Sequence, residues 1–343
     1  MDSAQLLALT GALAGKKIAV VGDVVADEFV YGRVARVSRE APVLILEYDS
    51  TEIVPGGAGN AANNVATLGG RATLVSVVGR DPSGRRLVAA LHRRVDSRHL
   101  LRAVGSPTPV KTRILAGGVH SAKQQVVRID RAAAGPYEPG VRAAFERAAL
   151  EAVGRADGVL VSDYGSGLVT PALVGRIRRE LRRAGLAIPL LIDSRYRLLS
   201  YTGLTACTPN ESEVEQALGI RIDDTPRVLE RAGRDILSRT RMRAVLVTRG
   251  SKGMALFMRG QPTVHIPIFG TDSIVDVTGA GDTVVSSVTL ALAAGASFEA
   301  AARIANYAGG LVVMKRGTAT VDIDELQAAI RKSGQTRSKA RHG

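Results

Sequence analysis

The stretch DSIVDVTGAGDTVVSSVTLALAAG, residues 272–295, places three small residues, Gly279-Ala280-Gly281, directly ahead of a carboxylate, Asp282, and of an apolar run of helical length. A helix N-terminus leaves about four amide groups unpaired and carries roughly half a positive charge, so a small-residue turn at that point can receive an oxyanion. Asp282 is out of place there as a passive residue, because a carboxylate competes with an anion unless it accepts a proton beside it. The alternative is capping: Thr278 or Asp282 closes the helix end and nothing more.

Outward from this turn, short runs of Val, Ile and Leu recur: KKIAVVGD, ATLVSVVG, DGVLVSDY, IPLLIDSR and AVLVTRG. Helical patterns such as PGVRAAFERAALEAVGRA and TPALVGRIRRELRRAG lie between many of them. Continuous rather than alternating apolar strands, separated by helices, predict a parallel sheet covered on both faces, an α/β fold. Several of these strands end on polar or small residues: Asp23, Arg80-Asp81, Asp163, Asp193, Asn210 and Thr248-Arg249-Gly250. Ligands of open α/β sheets bind outside the carboxyl ends of the strands, so these residues are expected along one rim. Residues 28–54 and 108–130 break the rhythm with alternating strands and read as a small β layer over that rim, a lid. Residues 1–330 are expected as one unit with this lid inserted, and 331–343 as a basic, disordered tail.

Composition narrows the function classes. Aromatic residues are 3% of the 343, Trp is absent and there are 37 glycines, which points to an aliphatic core with many close backbone approaches. One cysteine, Cys207, forms no internal disulfide, and with five histidines it builds no Cys/His metal cluster; a reducing cytoplasm is the expected location. The start, MDSAQLLALTGALAGKK, has its acid before its lysines and reads as an amphipathic helix, not a signal peptide. The longest apolar stretch, VVSSVTLALAAGA, is too short and too interrupted for a membrane span. Net charge is +14, with five cations in the last thirteen residues. No interleaved aromatics accompany them, so nucleic acid is not the expected partner, whereas a positive field suits phosphorylated small molecules. GALAGKK has the wrong spacing for a P-loop. Gly57-x-Gly59-x-x-Ala62 in GGAGNAANNVATLG matches a dinucleotide fingerprint formally, but without its context. That helix start serves as packing or meets a polyhydroxylated ligand through Asn60, Asn63 or Asn64.

The chain as a whole, from KKIAVVGD through GGAGNAANNVATLG, TPNESE, TRGSKG and DVTGAGDT to AARIANYAGG, resembles the ribokinase-like (PfkB) carbohydrate kinases. VVGDVVAD, RVSREAPV, KTRIL, QQVVRID, VSDYGSGL and TPNESEVEQALG are most similar to the D-glycero-D-manno-heptose 7-phosphate kinases, the kinase domain of the bifunctional heptose kinase/adenylyltransferase. The resemblance implies a three-layer α/β/α sandwich with a mostly parallel sheet and a β-sheet lid. It also implies ATP and Mg²⁺ as cofactors, a sugar or sugar phosphate as acceptor, and a homodimer paired through the lid. Asp282 matches the catalytic base, and Gly279, Ala280 and Gly281 match the anion hole. Asn210 and Glu213 match the magnesium and phosphate motif, with Glu213 acting on the metal through water. Thr248, Gly250, Gly253, Thr278 and Asn306 match nucleotide-binding positions; read alone, Thr248–Gly253 is a hairpin turn between AVLVTRG and MALFMRG. Asp23, Gly56, Gly57 and Asn60 match positions that hold sugar hydroxyls, while Lys111, Arg113, Arg128 and Asp130 in the lid suit an acceptor that already bears a phosphate. The chain departs from the heptose kinase pattern at Ser166, where SDYxKG has Lys, at Ser194-Arg195-Tyr196 in place of DPKG, and at Arg39. These departures bear on the acceptor: ribose, a fructose phosphate or a nucleoside are the alternatives, as is a sensor of the same fold without turnover. Only the basic segment follows residue 330, so a kinase without the nucleotidyltransferase is expected.

Overall fold

The computed structural model describes residues 2–117, 123–132, 136–222, 225–270 and 276–342; residues 118–122 of the second lid segment and 272–275 ahead of the glycine-rich turn lie outside them. The run KKIAVVGD forms strand β1 (Lys17–Gly22), which pairs in parallel with β4 (Arg71–Gly79) on one side and β9 (Gly158–Asp163) on the other. Beyond β9 follow β10 (Leu190–Ser194), β11 (Ala206–Cys207) and β12 (Ala244–Thr248), all parallel. The antiparallel β13 (Met254–Met258) and β14 (Val264–Ile266) complete that edge. Short strands β5 (Val95–Asp96) and β6 (Leu100–Ala103) pair with β4 at the other.

Side chains alternate along each strand, and both alternations are buried. Ile18 and Val20 of β1 face one apolar cluster with Leu160 and Leu246, while Ala19 and Val21 face a second with Val161 and Val247. The first cluster is closed by α1 (Ser3–Gly11), α2 (Ala58–Thr67), α3 (Pro82–Ala89), α8 (Ala280–Ala293), α9 (Phe298–Val312) and α10 (Ile323–His342). The second is closed by α4 (Pro139–Val153), α5 (Pro171–Arg183), α6 (Glu211–Leu218) and α7 (Pro226–Thr240). This double cover explains why the strands read as unbroken apolar runs. The helix starts are legible locally: Asp2 and Gln5 form a capping box on α1, and Thr170 caps α5 with Pro171 behind it. In the buried helix α8 the polar residues satisfy themselves, Ser287 and Thr289 donating to carbonyls one turn back and Ser286 to Ala61 O.

The second sheet is separate: β3 (Leu44–Gly57), β2 (Val24–Val37), β7 (Val110–Gly117) and β8 (Gln124–Arg131), in that order. It starts earlier than the expected 28–54, because β2 leaves β1 after a single residue, Asp23. Alternation puts Asp27 and Phe29 of β2, Lys111 and Arg113 of β7, and Arg128 and Asp130 of β8 on one face, since Asp27 pairs with Lys111 and Lys111 with Asp130. The basic segment after residue 330 continues α10 to His342, so its backbone is helical where a frayed tail was expected. Among the described residues no helix is long and apolar enough to cross a membrane.

Candidate active site

Order reverses at β1: the chain passes to β4 on one side and to β9 and beyond on the other, which opens a crevice at the carboxyl ends of β1 and β9. Asp23 and Tyr164 stand there, and the start of α8 faces them. The N-cap of α8 is Gly279, in the left-handed region at φ 77°, with no side-chain cap. Neither Thr278 nor Asp282 closes the helix. Asp282 instead turns away from its own amides: its Oδ2 accepts from Asn60 Nδ2 at 2.9 Å and its Oδ1 from the Tyr164 hydroxyl at 3.0 Å. Burial pushes the Asp282 carboxyl up to about 7, against the two hydrogen bonds and Lys111, which pull it down. A buried carboxylate poised near neutrality and fixed by two donors is suited to accept a proton.

The glycine-rich turn is built by close approach. A Cβ on Gly279 would lie 2.6 Å from Asn60 Nδ2 and 3.0 Å from a Thr318 methyl. The Ala280 amide donates to Val277 O, whereas the amides of Gly281 and Asp282 have no acceptor among the described residues. The Gly279 amide likewise has no acceptor among the described residues, so of the Gly279-Ala280-Gly281 turn only Ala280 spends its amide within the protein. Asp276, which sequence reasoning missed, accepts from the amides of Thr278 and Gly317 and ties this turn to the start of the closing segment.

Across the crevice, burial pushes Asp23 up to about 6, while hydrogen bonds from Ser166 Oγ at 2.5 Å and the Tyr164 amide at 2.8 Å act the other way. Gly57, at φ 57°, brings α2 against the Asp23 carbonyl and the Tyr164 ring; Gly56 packs on the Asp27 carboxylate. Asn60 is engaged on Asp282 and on Gly279 O, Asn64 on Asn60 and Thr283, and Asn63 on Ala90 and His92, so all three bond within the protein. A cavity of about 330 Å³ opens here, walled by Asp23, Lys111, Arg128, Tyr164, Ser166 and Arg195 among others. Arg113 does not line it: buried, it donates to Asp27 at 2.6 Å and lies over the Phe29 ring. Arg128 and Asp130 close on each other with two bonds of 2.8 Å. Tyr164 and Asp27 were not singled out at the sequence level, where Ser166 and Arg195 entered only as departures that bear on the acceptor. Their strings, VSDYGSGL and VVGDVVAD among them, were visible, but nothing in spacing showed which side chains meet.

On the other flank, Asn210 caps α6 and Glu213 returns the bond to the Asn210 amide, a reciprocal capping box. An isolated bridge brings Asn210 beside Thr248, and the β12–β13 hairpin turns through Gly250 and Gly253, both at positive φ. A Cβ on Gly253 would enter the backbone of Pro267 and Ile268. Asn306 donates to Pro267 O at 2.9 Å and borders a cavity of about 690 Å³ with Phe269, Tyr307, Arg303 and Lys332. Between the flanks lies Asp193, its carboxyl held well above the usual range by burial and by Glu213, Asp282 and Asp163; burial likewise pushes Glu213 up. Among the described residues no three metal-binding side chains converge into a protein-only cage. Two crowded carboxylates fit a hard cation that keeps most of its water.

Residues 16–325 match the family described as pfkB family carbohydrate kinase. The chain is 41% identical over 330 residues to the bifunctional protein HldE of Caulobacter vibrioides and 40% identical over 309 residues to that of Geobacter metallireducens. These alignments take in 96% and 90% of the chain but 66% and 61% of the relatives, so the chain spans about two thirds of the length of the curated relatives it matches. Among solved structures it is similar to Arabidopsis thaliana ribokinase complexed with ribose and ATP (TM-score 0.70, 21% identity, 93% of this chain and 99% of that one). It is also similar to phosphofructokinase-2 from Escherichia coli in complex with substrates and products (TM-score 0.67, 19% identity, 93% and 99%).

Proposed function

Because the chain belongs to the pfkB family of carbohydrate kinases, phosphotransferases with an alcohol group as acceptor, we propose that it moves the terminal phosphoryl group of ATP to D-glycero-D-manno-heptose 7-phosphate, giving the 1,7-bisphosphate. The observation that carries the kinase chemistry is the Asp282 carboxylate, which leaves its own helix uncapped and is fixed by Asn60 and Tyr164. The heptose reading is supported by RVSREAPV, KTRIL, QQVVRID and TPNESEVEQALG and by the likeness of about 40% to the bifunctional proteins.

In this reading the acceptor hydroxyl lies against Asp282, which takes its proton as the oxygen attacks the terminal phosphorus. The bond from that phosphorus to the bridging oxygen breaks and ADP leaves. The amides of Gly281 and Asp282 face the phosphoryl oxygens, where the positive end of α8 adds its field. Asp23 holds acceptor hydroxyls, and the small sheet keeps water from the reacting phosphate. Asn210, Thr248 and the Gly250–Gly253 turn flank the nucleotide, with the adenine in the cavity along α9 beside Asn306. Glu213 and Asp193 would hold Mg²⁺ through water, and the ion would neutralise charge on the transferred group. The protein works in the cytoplasm, as a homodimer joined through the outer face of the small sheet, where Val127 and Ile129 are half exposed opposite Arg128 and Asp130.

The test is ADP release with ATP and Mg²⁺ over a panel of heptose, hexose and pentose phosphates, their unphosphorylated parents and nucleosides, with Asp282→Asn as control. Turnover with heptose 7-phosphate supports the full reading. Turnover confined to ribose, a fructose phosphate or a nucleoside overturns the acceptor and keeps the chemistry. Ligand binding without turnover on any acceptor would make this a sensor.

A further inference from the structure

A chain of buried polar side chains runs from α8 through α2 and back to Asp282. Asn60 and Asn64 stand four residues apart on one face of α2, and Thr283 meets Asn64 from α8. Asn60 Nδ2 donates to Asp282 Oδ2 at 2.9 Å and to Gly279 O at 3.3 Å, while Asn60 Oδ1 accepts from Asn64 Nδ2 at 3.0 Å. The second hydrogen of Asn64 Nδ2 goes to the Asn60 carbonyl, also at 3.0 Å, and Asn64 Oδ1 accepts from the Thr283 hydroxyl at 3.0 Å. Gly279 O lies 3.2 Å from the same hydroxyl but already accepts from the Thr283 amide and from Asn60. Asn60 is 1% exposed, and Asn64 and Thr283 are fully buried.

The direction of this chain is dictated at both ends by groups that can only accept: the main-chain carbonyls of Asn60 and Gly279, and the Asp282 carboxylate. Asn64 must turn its NH₂ toward Asn60, and Asn60 must turn its NH₂ toward Asp282. A flip of either amide would set oxygen against oxygen where water does not reach. All four amide hydrogens are used. Without Asn64, Asn60 Oδ1 loses its donor, and the side chain gains by turning away from Asp282 toward the water of the crevice. Packing does not call for these polar groups, since Ala61 and Val65 of α2 share one apolar cluster with Val284 and Val288 of α8.

We propose that Asn64 and Thr283 are positioning residues, which hold Asn60 with its donor end on Asp282 so that the carboxylate keeps a bond favouring its charged form. For turnover the inference rests on the reading of Asp282 as the base; for the state of the carboxyl itself it does not. The other groups that act on this carboxyl are Tyr164 after β9, Lys111 of β7, Asp27 of β2 and Asp193 of β10. Replacing Asn64 or Thr283 leaves all four in place.

The experiment compares Asn64→Ala, Thr283→Val and Thr283→Ser in the full chain by two readouts. One is the titration midpoint of the Asp282 carboxyl carbon, followed by NMR with carbon-13-labelled aspartate and identified by its loss in Asp282→Asn. The other is kcat and KM against pH with ATP, Mg²⁺ and the best acceptor of the panel. In Asn64→Ala the midpoint and the acidic limb should both rise by roughly one pH unit, a tenfold loss of preference for the charged form. At neutral pH kcat should fall roughly tenfold or more, with the KM for ATP within about twofold of wild type. Thr283→Val should shift the midpoint in the same direction, and Thr283→Ser, which keeps the hydroxyl, should retain most of the wild-type behaviour. Melting curves identify folded variants, and where Asn64→Ala does not fold, the Thr283 pair decides. A folded variant that loses stability with its midpoint unmoved overturns the proposal, as does Thr283→Ser behaving like Thr283→Val. A shifted midpoint in a chain that turns over no acceptor sinks the kinase reading and leaves the positioning role standing; an unmoved midpoint in an active kinase does the reverse.

Discussion

The Tyr164 hydroxyl donates to Oδ1 of Asp282 across 118 positions of sequence, joining the end of β9 to the first turn of α8. With Asn60 on the other oxygen, this bond aims the carboxylate at the crevice and keeps it from capping its own helix. It also opposes the burial that pushes the Asp282 carboxyl up to about 7.

The pH dependence follows from that balance. A base must be deprotonated, so kcat/KM should rise with pH through about 7 and level off above it. Tyr164→Phe removes a bond that favours the charged form, so the acidic limb should move to higher pH. A pH–rate profile of both proteins checks this; an unmoved limb in Tyr164→Phe would separate the tyrosine from the base.

Asp282→Asn should abolish transfer while leaving ATP affinity largely intact, because the carboxylate acts on the acceptor proton. It should also stabilise the fold. Raised from 3.8 to about 7, this carboxyl binds its proton more tightly folded than unfolded, so it lowers stability progressively as pH rises across that window. Asparagine removes the penalty, and the Tyr164 hydroxyl can turn to accept from its amide. Thermal melts should show the variant above wild type at pH 8, with the gap closing toward pH 4.

Gly279→Ala forces a side chain into the left-handed region at φ 77° and into the Asn60 amide. The expected cost is about 1–2 kcal/mol of stability from the backbone alone, with a larger loss of kcat because Asn60 is displaced from Asp282. Denaturant titration and steady-state kinetics together test it; a fully active, equally stable variant would refute the tight turn.

Self-association is expected through the outer face of the small sheet. Lysine at both Val127 and Ile129, which are 48% and 49% exposed, should give a monomer by light scattering if that face is the interface. An unchanged mass would place the contact elsewhere.

The sequence by itself determined the layered α/β architecture, because unbroken apolar strands between amphipathic helices have nowhere to go but a doubly covered sheet. It also determined the small-residue turn at 279–281, since this is a local pattern of backbone freedom. Reach between distant segments was beyond it. That Asp282 faces Asn60 and Tyr164 instead of capping α8 depends on how α2 and β9 pack around that helix end. The lid cations looked like one cluster, yet tertiary pairing closes Arg113 on Asp27 and Arg128 on Asp130. Lys111 remains, joined by Arg195 from the main sheet. Charge pairing is decided over a few ångströms between segments far apart in sequence, and only the folded chain sets those distances.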